Sequence, residues 1–175
     1  MKKTLLTAAA CGLFAVVGAT AVWAAAGPTD PQIAHIAHTA GVIDIKTGEL
    51  ALKKSHNKDV RAFAEEMVRD HKAVDKQALD LVAKLKVTPE DNATSQALNK
   101  GAAAEYAKLE KLSGKAFDHE YAANEVAYHK TVNGALENTL IPSAHNPQLK
   151  SLLETGLKLF RSHQEHAEHL VHELH

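Results

Sequence analysis

His71, His129 and His163 stand where leucines would be expected, each on the apolar stripe of a different predicted helix and near its midpoint. A buried helix stripe repeats at i, i+3, i+4 and i+7. By that spacing His71 is grouped with Ala64, Met67, Val74 and Val82, and His129 with Tyr121, Val132 and Leu136. His163 falls with Leu159, Phe160, Ala167 and Leu170. Asp44 occupies the corresponding place on a fourth helix, and Glu125 lies one turn before His129. Polar groups buried in a bundle need partners, and a metal or a carboxylate is the usual one. Three imidazoles with carboxylate oxygens suit zinc, copper or iron. The same histidines could instead hydrogen-bond Asp44, Asp118, Glu125 or Tyr121 and fix the register of the bundle without an ion. The spacing leaves both readings open.

A second pattern closes the chain: His163, His166, His169, His172 and His175, one every third residue. At about 100° per residue each steps back about 60°, so the series cannot share one face. His163 points inward and His166 sits at the edge of the stripe, which adds His166 to the candidate ligands. His169 and His172 point outward beside Glu165, Glu168 and Glu173. Neighbouring pairs in that series could chelate a divalent ion weakly. A solvated helix end, where protonated histidines favour the dipole, is an equal reading. His35 and His38 repeat the i, i+3 pair with the same ambiguity.

Catalytic signatures are missing. Diiron oxidases built on bundles use Glu-x-x-His on two helices. Three residues before His71, His129 and His163 stand Val68, Val126 and Phe160. Ser113, Ser143, Ser151 and Ser162 lack glycine-framed contexts, and no glycine-rich phosphate loop exists. The expectation is a binding or structural protein rather than an enzyme.

Alanine, leucine, lysine and glutamate dominate the elements that must position these groups, and no alternating strand pattern appears. Helix one is expected over Pro31 to Ser55. Asn57 caps helix two, Lys58 to Lys86, which Thr88-Pro89 ends. A shorter helix follows over Thr94 to Leu112. Helix three runs from Lys115 to Leu140 and is closed by Ile141-Pro142, and Asn146-Pro147 opens helix four. Short links make helices one and two, and helices three and four, antiparallel. The connecting helix of about 19 residues rises about 28 Å, enough to return the chain to the starting end. That long crossover leaves helices two and three parallel, the ferritin-like arrangement of an all-α four-helix bundle.

The N-terminus reads as an export signal. Lys2 and Lys3 precede an apolar run from Thr4 to Val22, and Ala24-Ala25-Ala26 offers a small-residue cleavage site before Gly27. Residues 1–26 are therefore expected to leave, an uncleaved N-terminal anchor being the alternative for an apolar run of this length, with residues 27–175 forming one domain of roughly 150 residues. A domain of that size buries about 68–70% of its unfolded surface and needs no staple. The one cysteine, Cys11, lies in the signal, which excludes disulfides and thiolate ligands from the remainder. The destination is the periplasm or beyond, with no membrane span after cleavage. With 20 basic against 21 acidic residues and 5% aromatics, the chain shows no basic stripe, which argues against nucleic acid.

Several blocks resemble a known family. They are Gly48-Glu49-Leu50-Ala51, Val60-Arg61-Ala62-Phe63-Ala64, and Met67-Val68-Arg69-Asp70-His71. Ser113-Gly114 with Phe117-Asp118 and Tyr121, His129, and Asn146-Pro147 followed by Leu159 to His163 continue the match. The likeness is to the exported bacterial domain-of-unknown-function family 4142, labelled as outer-membrane or periplasmic and assigned a ferritin-like fold. It implies fold and compartment but no activity. Two positions depart from the family: it usually has Glu at Asp44, and an acid at Tyr128. The expected function is an exported bundle with a core metal site of Asp44, His71, His129 and His163, with Glu125 and His166 beside it. The cofactor is one ion of zinc, copper or iron, or none. The alternative is an envelope structural or stress-related protein whose buried histidines form a hydrogen-bond network.

Overall fold

The structure, a computed structural model, describes residues 27–174; the expected signal segment and His175 lie outside them. It is all helix: α1 (Asp30–Lys54), α2 (Lys58–Leu85), α3 (Ala93–Lys111), α4 (Gly114–Ala135) and α5 (Pro147–Glu173), with no strand among the described residues. Local chemistry starts each helix. The Asn57 side chain accepts from the Asp59 and Val60 amides, and Asn146 from those of Gln148 and Leu149, ahead of Pro147. Asn92 and Ser95 cap α3 reciprocally. Lys86 ends α2 in the left-handed region, at φ 55°.

The end of α4 departs from expectation. Ile141-Pro142 does not close it: the helix widens into a π turn, Leu136–Leu140, and continues through Ile141–Ser143. The Ile141 amide reaches back to the Leu136 carbonyl, one residue further than in an α-helix. Pro142, which has no N–H to give, follows that wide turn.

Contacts across the bundle fix the topology. Glu66 meets His166 and Asp70 meets His163, so α2 and α5 are antiparallel. Phe63 packs on Tyr121 and His71 approaches His129, so α2 and α4 run parallel. The crossover helix α3 begins beside the start of α1, where the Glu90 amide donates to the Pro31 carbonyl. It ends beside the close of α1, where Lys54 Nζ donates to the Glu110 carbonyl. This is the ferritin-like long-crossover arrangement. α1 and α2 approach closely at Gly48, where a Cβ would lie 2.9 Å from Val68 Cγ2 and 3.3 Å from the Ala64 carbonyl oxygen.

Two apolar clusters fill the interior. One gathers Leu50, Val60, Phe63, Met67, Phe117, Tyr121 and Leu170 at the end where α1 finishes. The other gathers Ile33, Ile36, Leu136, Leu140, Leu149, Leu153 and Phe160 at the opposite end. Between them, at mid-height, lies a layer of buried polar side chains: Asp44, His71, Glu125, His129 and His163.

Candidate metal centre

Each helix of the four-membered bundle contributes to that layer through the stripe that buries its neighbours. On α1, Asp44 belongs to the same face as Ile33, Ile36, Ala40, Thr47 and Ala51. On α2, His71 follows Phe63, Ala64 and Met67. On α4, Glu125 and His129 continue Phe117, Tyr121 and Ala122, and on α5 His163 lies between Phe160 and Ala167. Burial of these polar groups is therefore imposed by their apolar neighbours; Asp44, Glu125, His129 and His163 are each 1% exposed.

The three imidazoles form a nearly equilateral triangle. Ring centroids are 5.7 Å apart for His71–His129, 5.4 Å for His71–His163 and 5.5 Å for His129–His163. Three imidazoles bound tetrahedrally at a metal–nitrogen distance of about 2.0–2.1 Å have centroids roughly 5 Å apart. Triangle and requirement agree closely. Asp44 enters from one side, with Oδ2 3.4 Å from His71 Nε2 and 3.6 Å from His129 Nε2. Glu125 Oε2 lies 3.6 Å from His129 Nδ1.

Second partners orient two of the rings. The His129 Nδ1–H donates to the Glu125 carbonyl at 3.0 Å, which leaves Nε2 as a bare lone pair. His163 Nε2–H donates to Asp70 Oδ2 at 3.1 Å, which leaves Nδ1 bare. A carboxylate behind a histidine is the arrangement that holds a ligating imidazole in place. Phe160 stacks on His71 at 4.6 Å between centroids and sets the plane of that ring.

Several polar atoms of this layer have no hydrogen-bond partner. His71 Nε2, His129 Nε2, His163 Nδ1, both Asp44 oxygens, Glu125 Oε2 and the Tyr121 hydroxyl are all buried and unsatisfied. Orphaned buried polar atoms are rare, and each costs about 1–3 kcal/mol. These are mostly electron-pair donors, the complement of a cation. Burial lowers the His71 pKa well below its ordinary value and brings that of His129 to about 4, so both rings are neutral and able to ligate. Burial pushes Asp44 up to about 8 and Glu125 well above the carboxylate range, the second also through the Asp44 charge. The Asp44–His71 contact is thus one between neutral groups, despite its ion-pair distance.

The six ligand candidates from the sequence do not share one sphere. His71, His129 and His163 form one set of mutually close ligand atoms, and Asp44, Glu125 and His129 form another. His129 belongs to both. His166 stands apart: it is 45% exposed, bonds Glu66 Oε2 at 2.7 Å and sits edge-on to Phe63. The terminal series does not gather either, since His169 pairs with Glu173 within α5 and no close set among the described residues contains it or His172. His35 and His38 face acids on other elements, Asp91 at 3.9 Å and Asp75 at 2.6 Å, rather than each other.

Sequence reasoning passed over Glu66 and Asp70, which with His163 form a third, half-buried set. Their signal was available. They lie one turn apart on α2, at the edge of the stripe that carries Met67 and His71, facing a helix with histidines three apart. Asp70 is also held by the Arg69 guanidinium, which keeps its carboxyl below the ordinary range.

A family model described as a domain of unknown function, DUF4142, matches residues 17–170. No curated protein and no solved structure matches the chain. The chain belongs to the DUF4142 family.

Proposed function

We propose that this DUF4142-family chain is an exported, non-catalytic bundle protein that holds one transition-metal ion in its core. His71, His129 and His163 would supply three neutral nitrogens and Asp44 Oδ2, beside two of them, the carboxylate, while Glu125 would lie on the Nδ1 side of His129 in the second set. Asp70 and the Glu125 carbonyl would act from behind, keeping His163 and His129 aimed inward. One observation carries this reading: three buried imidazoles stand at nearly equal spacing, and His71 Nε2, His129 Nε2 and His163 Nδ1 have no hydrogen-bond partner. Zinc, copper and iron all accept that donor set, and a bound ion of this kind would supply Lewis-acid or electron-transfer chemistry. The export reading rests on the charge and apolar pattern of residues 1–26.

A second reading has its own support. With Asp44 protonated, its O–H can donate toward His71 or His129, so the layer can act as a polar network that fixes helix register. Metal titration separates the two. Untagged protein comprising residues 27–175 is stripped with chelator, then titrated with zinc, copper and iron(II) while bound metal and melting temperature are read. The metal reading expects one tight equivalent, a higher melting temperature and release of the Asp44 proton. His129→Ala should abolish that equivalent, whereas replacing the exposed His169 and His172 with alanine should leave it. Full retention of the tight equivalent by His129→Ala, or none in the parent protein, leaves the network as the function of the layer.

A further inference from the structure

Beyond the polar layer, toward the start of α1, the bundle does not close on itself. A cavity of about 620 Å³ lies between the helices there, within the range of small-molecule sites. Its walls are mostly hydrocarbon, from Ile36, Val74, Leu98, Val132, Leu140 and Leu153. Along α1 the lining runs from Gln32 to Gly41, about 14 Å at 1.5 Å per residue, so the space is elongated. The deep end is different. His71 and His129 close it there, beside Phe160, and His71 Nε2 and His129 Nε2 have no protein partner. The wide π turn also belongs to this wall, through Leu136, Thr139 and Leu140. Such turns recur at functional sites.

We propose that this cavity binds a straight-chain monocarboxylate, tail along the aliphatic walls and carboxylate at His71 and His129. The head group would add an oxygen ligand to the metal assigned to that layer, so this part rests on the metal reading. Charge selects the orientation. The metal-bearing end attracts an anionic head, and Asp75, one turn from His71 on α2, is already engaged by His38 at 2.6 Å. A ligand of this kind would cover apolar wall that the protein leaves bare, and transfer of each methylene out of water raises affinity about fourfold.

The test uses the protein of residues 27–175, with zinc stoichiometry read before any carboxylate is added. Octanoate, decanoate and dodecanoate are then titrated calorimetrically, below micelle-forming concentrations, with decanol as the uncharged control. One saturable site is expected, with affinity rising about fourfold per methylene and decanoate exceeding decanol. Ala78→Trp and Val82→Phe, which fill the cavity from α2 two and three turns away from His71, should each lower decanoate affinity at least tenfold and leave zinc stoichiometry unchanged. Absent saturable uptake, no dependence on chain length, or parental affinity in both variants overturns the cavity ligand. Equal decanoate affinity with and without zinc, or decanol binding as tightly, overturns the head-group assignment. A missing zinc equivalent, seen in the first step, sinks the metal reading separately.

Discussion

At the end of the bundle where α1 finishes, Val60, Phe63, Met67, Phe117 and Tyr121 show no exposure and their rings interlock. At the other end, the same helices enclose a cavity of about 620 Å³. The polar layer of Asp44, His71, Glu125, His129 and His163 divides the two. Side-chain volume explains the contrast. The packed half turns large residues inward, whereas the open half presents Ala37, Ala40, Gly41, Ala78, Ala135 and Gly156 to its centre. Close packing stabilises one half, and the other forgoes contacts that a void cannot return. A site placed between them has a rigid wall on one side and free volume on the other. That is a sound arrangement for ligands that must hold their geometry while something is admitted from one direction.

The largest test of the contrast removes one ring from each half. Phe63→Ala should cost about 3–5 kcal/mol, since every side of that ring touches protein. Phe160→Ala should cost about 3 kcal/mol, the low end of that range, because its ring borders the cavity and has fewer contacts to lose. Urea unfolding at pH 7 measures both. Equal costs would show the cavity to be collapsed in solution and would erase the distinction.

The dividing layer predicts a pH dependence of intermediate size. Asp44 is raised to about 8 in the folded chain, above its unfolded value, so its contribution to stability is full at low pH and is lost as pH rises toward 8. His129 is lowered to about 4, so its contribution is full above the ordinary histidine value near 6.5 and is lost as pH falls toward 4. Below about pH 6.5 the two oppose each other. Between about 6.5 and 8 no histidine opposes Asp44, and burial raises the Glu125 carboxyl in the same direction. Metal-free protein should therefore lose about 1.4 kcal/mol per pH unit per retained proton across that window. Asp44→Asn should flatten the slope, and bound zinc should abolish it by removing the proton. Melting curves in chelator from pH 6.5 to 8 check this; a rise in stability with pH would mean that Asp44 is ionised without metal.

Much of this was legible in the chain. The stripe Ile33, Ile36, Ala40, Ile43 announces α1, Asn57 and Asn146 announce two helix starts, and the out-of-place His71, His129 and His163 announce the layer. The crossover followed from helix length alone. Other features follow from relations that periodicity does not carry. Which nitrogen of His163 faces inward depends on Asp70, a residue at the stripe's edge on another helix. The splitting of the ligands into two sets sharing His129 depends on ring rotation, and the placing of His166 on Glu66 depends on how α2 and α5 align. Pro142 reads as a stop, because helix patterns contain no rule for a turn that widens before it. The cavity had a faint signature in the small residues of the open half, visible only once the facing partners are known.

The smallest effect separates the halves by sign. Ala37 is partly buried against the open half and lines the cavity, whereas Ala122 is fully buried among Phe117 and Tyr121. Replacing either with leucine adds the same atoms in the same kind of helix, so propensity changes little between them. In the open half the new side chain meets vacant apolar volume, and its buried methylenes are gained without displacing anything. Rotamer entropy offsets part of that gain. Ala37→Leu should therefore raise stability by up to about 1 kcal/mol, and Ala122→Leu should lower it, as added methylenes do in a filled core. Thermal unfolding of the two variants beside the parent reads the difference directly. Loss of stability in both would mean that the open half is already filled, by its own repacking or by a ligand carried through purification. Mass spectrometry of the intact protein under native conditions separates those two causes.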